Sequence, residues 1–266
     1  MKNKLTKISA LLLSIFIVFS LSACGLDDIS NTVDKIEDFE SSIENNNSGE
    51  SDKNNNASSE TFNLDEIPDF HGDAYIAIND NEPYFTEEEK NTKEIFENYS
   101  ELDSLGRCGV AYATICKQLM PTEKRENISS IYPSGWKYNG KSNNNQYDKN
   151  MVDGTRIYNR CHLIGFQLAG ENANKLNLIT GTRYMNVDGM LPFENMVADY
   201  VKETDGTVLY RVTPIFDEDN LVASGVLMEA WSIDDNGDGV CFCMYCYNVQ
   251  PGIIIDYKTG QNWISE

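Results

Sequence analysis

His162 is one of only two histidines in this chain of 266 residues. It stands in the stretch Tyr158-Asn159-Arg160-Cys161-His162-Leu163-Ile164-Gly165-Phe166-Gln167-Leu168. Downstream come Asn177-Leu178-Ile179-Thr180-Gly181-Thr182-Arg183-Tyr184-Met185-Asn186, then Pro192-Phe193-Glu194-Asn195. An imidazole titrates close to neutral pH, so histidine is the readiest side chain for taking and returning a proton. In an apolar context a lone histidine is equally a satisfied core residue, and the local sequence leaves both readings open. The other histidine, His71, sits at the edge of a polar segment and reads as a surface residue.

The elements around this set follow from pattern. Residues 192–204 read as a helix: Pro192 suits a first helical position, and Gly206 suits the stop. Phe193, Met196, Val197, Tyr200 and Val201 recur at helical spacing and make one apolar face. Residues 208–213, 225–230 and 239–249 read as strands, as do 74–81 (with a turn) and 106–113. Thr86 followed by three glutamates reads as a helix start, with acids at the positive end of the dipole. Residues 120–125 are a polar loop, 133–136 a turn, and 137–154 an Asn-rich loop. Strands in succession with few helices predict an α+β domain built on an antiparallel sheet.

The N-terminus predicts an address outside the cytoplasm. Lys2, Lys4 and Lys7 precede an apolar run over 10–21, too short for a confident membrane span. The run ends in Leu21-Ser22-Ala23-Cys24, which resembles a bacterial lipoprotein signal. That resemblance implies cleavage before Cys24, a lipid on its thiol and attachment to the membrane. An ordinary signal peptide or an anchor helix is the competing reading. Residues 24–70 read as a solvated tether: 25–70 carry a net charge of −11 and little to bury. The expected organisation is a signal peptide over 1–23, a tether over 24–70 and one domain over 71–266.

Seven cysteines leave six once Cys24 is set aside. An extracytoplasmic chain permits disulfides among them, and buried free thiols are the alternative. Cys243-Met-Tyr-Cys246 has the spacing of half a zinc site, but there is no second pair.

The ordered set Arg160, His162, Asn186 and Glu194 resembles the DNA/RNA non-specific endonucleases of the streptococcal DNA-entry type. These are ββα-metal nucleases marked by an Asp-Arg-Gly-His motif, which reads Asn159-Arg160-Cys161-His162 here, and the likeness runs over roughly 102–256. It implies a ββα-metal nuclease fold, a central antiparallel sheet flanked by helices. It implies that His162 is the general base, and that Asn186, 24 residues on, holds the metal. Glu194 would be the supporting carboxylate that holds metal-bound water, and Arg160 a catalytic cation. Asn159, Asn177, Arg183 and Arg125 would bind substrate or support the site. The metal would be Mg²⁺, or Mn²⁺ in its place, and the substrate DNA and also RNA, read through backbone phosphates. No protein partner follows. Asn159 lacks the negative charge that would raise the basicity of the histidine, which puts rate in doubt more than mechanism. The same departures suggest a second reading, a nuclease fold kept for binding at the surface with weak or lost activity. The net charge of −21, of which 106–266 carry only −5, shows no broad basic patch and favours brief contact with nucleic acid over tight binding.

Overall fold

The computed structural model describes residues 67–266; the signal segment, Cys24 and all but the last four residues of the expected tether lie outside the described residues. In chain order the strands are β1 (Tyr75–Ala77), β2 (Glu97–Tyr99), β3 (Ala111–Ile115), β4 (Lys137–Tyr138), β5 (Lys141–Ser142), β6 (Tyr158–His162) and β7 (Leu178–Thr182). They continue with β8 (Val208–Ile215), β9 (Gly225–Ser232), β10 (Cys241–Tyr247), β11 (Ile253–Ile255) and β12 (Asn262–Ile264). The α-helices are α1 (Glu87–Lys90), α2 (Phe166–Ala169) and α3 (Leu191–Thr204).

Six strands form one antiparallel sheet in the order β1-β10-β9-β8-β3-β2, so the fold is α+β on a central antiparallel sheet. The three central strands are apolar almost without interruption because both their faces are covered. On β10, Cys243, Tyr245 and Tyr247 pack with Ile78, Ile215 and Leu227, joined from the chain start by Ile67 and Phe70. The alternate residues face the long helix, where Phe193 of α3 meets Phe242 at 5.0 Å and Tyr75 at 4.8 Å between ring centroids. The outer strands β1 and β2 have three residues each, which leaves little edge for unwanted pairing.

One strand is displaced from its expected place. Residues 106–110 are not strand, and β3 runs instead from Ala111 to Ile115. The Asp103 carboxylate accepts from the backbone N–H of Leu105 and of Arg107, and Gly106 takes φ +76°. A side chain that binds its own following backbone holds a turn against strand propensity. Within the expected loop 137–154, β4 and β5 pair as a short hairpin.

The six cysteines of the described residues are all free thiols, five of them buried. Cys243 and Cys246 are three apart on β10, so strand alternation sends them to opposite faces and they cannot share an ion. Among the described residues, no helix is long and apolar enough to cross a membrane.

Candidate active site

A separate two-stranded ribbon, β6 with β7, carries the histidine, and the helical segment after β7 carries the asparagine and the glutamate. The ribbon is tied down by buried amides. Asn177 Oδ1 accepts from Ile164 N–H at 2.8 Å and its Nδ2 donates to Ile164 O at 2.9 Å. This fixes the chain just past His162, and Asn177 is fully buried. Asn248 does the same for β7, accepting from Thr182 N–H at 2.8 Å and donating to Thr180 O and Ala223 O.

His162 is 6% exposed and both its ring nitrogens have partners. Nε2 lies 2.9 Å from the carbonyl oxygen of Asn172. A carbonyl only accepts, so Nε2 carries the proton and Nδ1 holds a free lone pair. That lone pair faces the Arg125 guanidinium, with Nη2 at 3.2 Å. Burial, aided by the Arg125 charge, lowers the His162 pKa to about 4, so the ring is neutral at pH 7. A neutral imidazole held by Nε2–H with Nδ1 available has the form a general base needs.

Strand alternation divides the motif between two faces. His162 and Arg160 share one face, and Asn159 and Cys161 the other. Arg160 donates to the backbone carbonyls of Ser129 and Ile131 and lies over the Trp136 ring at 4.1 Å. Its guanidinium therefore braces the loop that follows Arg125. The cation against the base is Arg125, an exposed residue on a polar loop. Arg183 pairs with Asp153 at 2.8 Å on the surface. Arg211, another cation available from sequence, is held by Glu229 within the sheet and lies outside this group. The Asn159 side chain makes no hydrogen bond among the described contacts.

On the second face the Cys161 thiol donates to Asn186 Oδ1 at 3.0 Å. Gly181, diagonal to it on β7, leaves room for it, because a Cβ there would overlap the Cys161 sulfur. Asn186 opens a π-helical stretch, Met185–Met190, that runs directly into α3. At 3.6 residues per turn, the eight residues from Asn186 to Glu194 would overshoot two turns by about 80°. The wider π turns, marked by Leu191 N–H bonding to Asn186 O, reduce that overshoot and bring the two side chains towards one face. Glu194 reaches under Gly165, where a Cβ would lie 2.6 Å from its Oε2. Glu194 as a residue keeps some exposure, but its carboxyl group is enclosed, and that burial raises its pKa to about 7. Arg125 acts on the charges of His162, Cys161 and Glu194 alike, which places the three within one electrostatic neighbourhood.

The donor set fits a hard cation. Asn186 Oδ1 receives one hydrogen bond, and a carbonyl oxygen has two lone pairs, so one remains for a metal. Among the described residues no three His, Cys, Asp or Glu side chains form a cage for an ion. A metal held here takes most of its ligands from water and phosphate, as Mg²⁺ does. The sequence did not single out Asn172, whose contribution is a backbone carbonyl, or Asn248, which lies 62 residues beyond Asn186. Gly165 was legible only as a glycine.

No curated protein matches the chain. Its fold is similar to NucA from Streptococcus agalactiae, solved with magnesium bound, at TM-score 0.60 and 22% identity, covering 71% of this chain and 86% of that one. It is similar also to the Sda1 nuclease, solved with bound zinc, at TM-score 0.61 and 26% identity, covering 73% of this chain and 98% of that one. The family model for DNA/RNA non-specific endonucleases matches residues 86–233, which span both the ribbon and the helix that carries Glu194. With that match over more than half its length, the chain belongs to the DNA/RNA non-specific endonuclease family and is a nuclease acting on nucleic acid.

Proposed function

We propose that this nuclease is metal-dependent and hydrolyses internal phosphodiester bonds of DNA, and of RNA, with His162 as general base. The observation that carries the reading is the state of His162: neutral, with Nε2–H held by the Asn172 carbonyl and Nδ1 presented to a cation. Nδ1 takes the proton from the attacking water, and the Asn172 carbonyl steadies the imidazolium that results. Arg125 leaves Nδ1 to contact the phosphate and stabilises charge that builds up on it, while Arg160 keeps the Arg125 loop in place. Asn186 binds the metal through Oδ1, and Glu194 orients water beside it. A bound Mg²⁺ supplies positive charge to a non-bridging phosphate oxygen and to the departing 3′ oxygen. Asn159, Asn177 and Arg183 support the ribbon, and Mn²⁺ serves in place of Mg²⁺.

The domain spans 71–266. It acts outside the cytoplasm, released from a signal peptide over 1–23 and held to the membrane by a lipid on Cys24 through the tether 24–70. The sequence Leu21-Ser22-Ala23-Cys24 supports this. The test is nicking of supercoiled plasmid by purified protein over a Mg²⁺ titration, for wild type and Asn186→Ala. Activity abolished by chelation and a higher Mg²⁺ midpoint in Asn186→Ala are expected. Activity independent of divalent metal, or an unchanged midpoint, would overturn the metal assignment. Cell fractionation of Cys24→Ala tests the anchor, with loss from the membrane fraction expected.

A further inference from the structure

The chain is acidic overall, but one segment is locally basic. Residues 124–160 hold seven Lys and Arg against three Asp and Glu, while the whole chain has a net charge of −21. The same segment is rich in aromatic rings. Tyr132 is 55% exposed, with Lys137 Nζ 3.9 Å from its ring centroid and Arg160 at 5.5 Å. Arg160 in turn shares a face of β6 with His162, two residues on. Lys137 belongs to the β4–β5 hairpin, whose Tyr138 and Lys141 are cross-strand partners and line a cleft of about 340 Å³. The far wall of the cleft is Trp263 on β12, 48% exposed. The other lining residues are amides and one serine, and none is acidic.

We infer that the Tyr138–Lys141–Trp263 cleft is a subsite for an unpaired nucleobase and its phosphate, joined to the catalytic histidine by the Tyr132–Lys137–Arg160 strip. Three properties carry this. An exposed indole offers a stacking face to any base, which is how single strands are held without reading sequence. Lysines beside each ring supply the phosphate contacts that stacking alone lacks. The position also suits a strand lying across the site. Asn144, between two cleft residues, bonds both backbone groups of Tyr158 at 2.9 and 3.0 Å. Tyr158 begins β6, the strand that ends at His162, so the cleft is tied to the element that carries the histidine. A paired base presents only its edge, so the subsite favours single-stranded or frayed nucleic acid, DNA and RNA alike.

This inference rests on the nuclease reading above, and its test separates the two. The full chain carrying His162→Ala is titrated with a fluorescently labelled single-stranded thymidine homopolymer and with a duplex of the same length. Adding Trp263→Ala or Lys141→Ala is expected to weaken single-strand binding about tenfold, a loss within the range of one stacked base. Trp263→Phe is expected to keep most of the affinity, and duplex binding is expected to change little. Single-strand binding unaltered by both alanine variants overturns the subsite, as does an equal loss for the duplex. Lys141 lies outside the β11–β12 hairpin, so its variant reads the cleft even if Trp263→Ala loosens that hairpin. Plasmid nicking by the wild type is the separate readout of the nuclease reading. If nicking is absent while the Trp263 effect is present, catalysis fails and the subsite stands.

Discussion

The sheet and the ribbon treat their charges in opposite ways. In the sheet, Arg211 and Glu229 are direct cross-strand partners, bonded twice at 2.7 and 2.8 Å, with Glu229 1% exposed. Tyr84 N–H also donates to Glu229, and Phe85 lies under the guanidinium at 4.6 Å. Both ions are fully engaged within the protein. In the ribbon and its helix, His162 and Glu194 are buried without a formal counter-ion bonded to either, and both are pushed towards neutrality. Burial lowers one pKa to about 4 and raises the other to about 7. A charge satisfied by its neighbours is structural. A buried titratable group whose neighbours are neutral groups and an exposed arginine is one the fold holds ready for something else.

The largest effect expected is at the ribbon. His162→Ala should lower plasmid nicking at least about a hundredfold while the circular dichroism spectrum stays native, because it removes the proposed general base. Retention of a tenth of wild-type activity in a folded variant would remove His162 from the chemistry. The matching cut in the sheet is Glu229→Ala, which removes both short bonds of Arg211 and leaves it only the longer ion pair with Glu89 at 3.5 Å. It should cost about 3–5 kcal/mol in urea unfolding and leave the activity of the folded fraction unchanged. A Glu229→Ala protein that loses activity but not stability would erase the contrast between the two regions.

A smaller and more pointed expectation concerns pH. Between pH 4 and 6.5 the unfolded chain binds a proton at His162 that the folded one refuses, so this residue makes stability fall as pH drops. Between pH 4.5 and 7 the folded chain keeps a proton on Glu194 that the unfolded one releases, so Glu194 makes stability fall as pH rises. The two slopes oppose each other, and each amounts to about 3 kcal/mol. Metal-free Glu194→Gln should therefore lose stability more steeply than wild type on acidification below pH 6.5. His162→Asn should instead lose it as pH rises from 4.5 to 7. Parallel curves for wild type and both variants would show that neither group is buried as described.

The smallest effect is expected at Asn159. It lies across the ribbon from His162, so Asn159→Asp should move the acidic limb of the pH–rate profile very little. A clear upward shift with a large gain in rate would mean that charge at this position reaches the base after all.

The sequence by itself determined the elements whose signals are local. The helix at 192–204, the three long strands, the loop 120–125 and the turn 133–136 are set by periodicity, capping and turn chemistry. It also determined the order of His162, Asn186 and Glu194, because residue types at given separations are carried by the chain whatever its fold. What each side chain does with its neighbours was decided only in three dimensions. On paper Arg160 is the catalytic cation and Arg125 a supporting one, but the loop 125–131 folds back so that Arg160 braces carbonyls and Arg125 meets Nδ1. Cys161 reads as a departure from a motif, and becomes the donor to Asn186 only because Gly181, diagonal to it on β7, has no side chain. The π-helical turns that bring Asn186 towards Glu194 have no signature of their own, and Gly189 within them packs against Cys246 of the sheet. The pKa values of His162 and Glu194 belong to this second category as well. They are set by burial, and burial is a property of what the rest of the chain places around a residue.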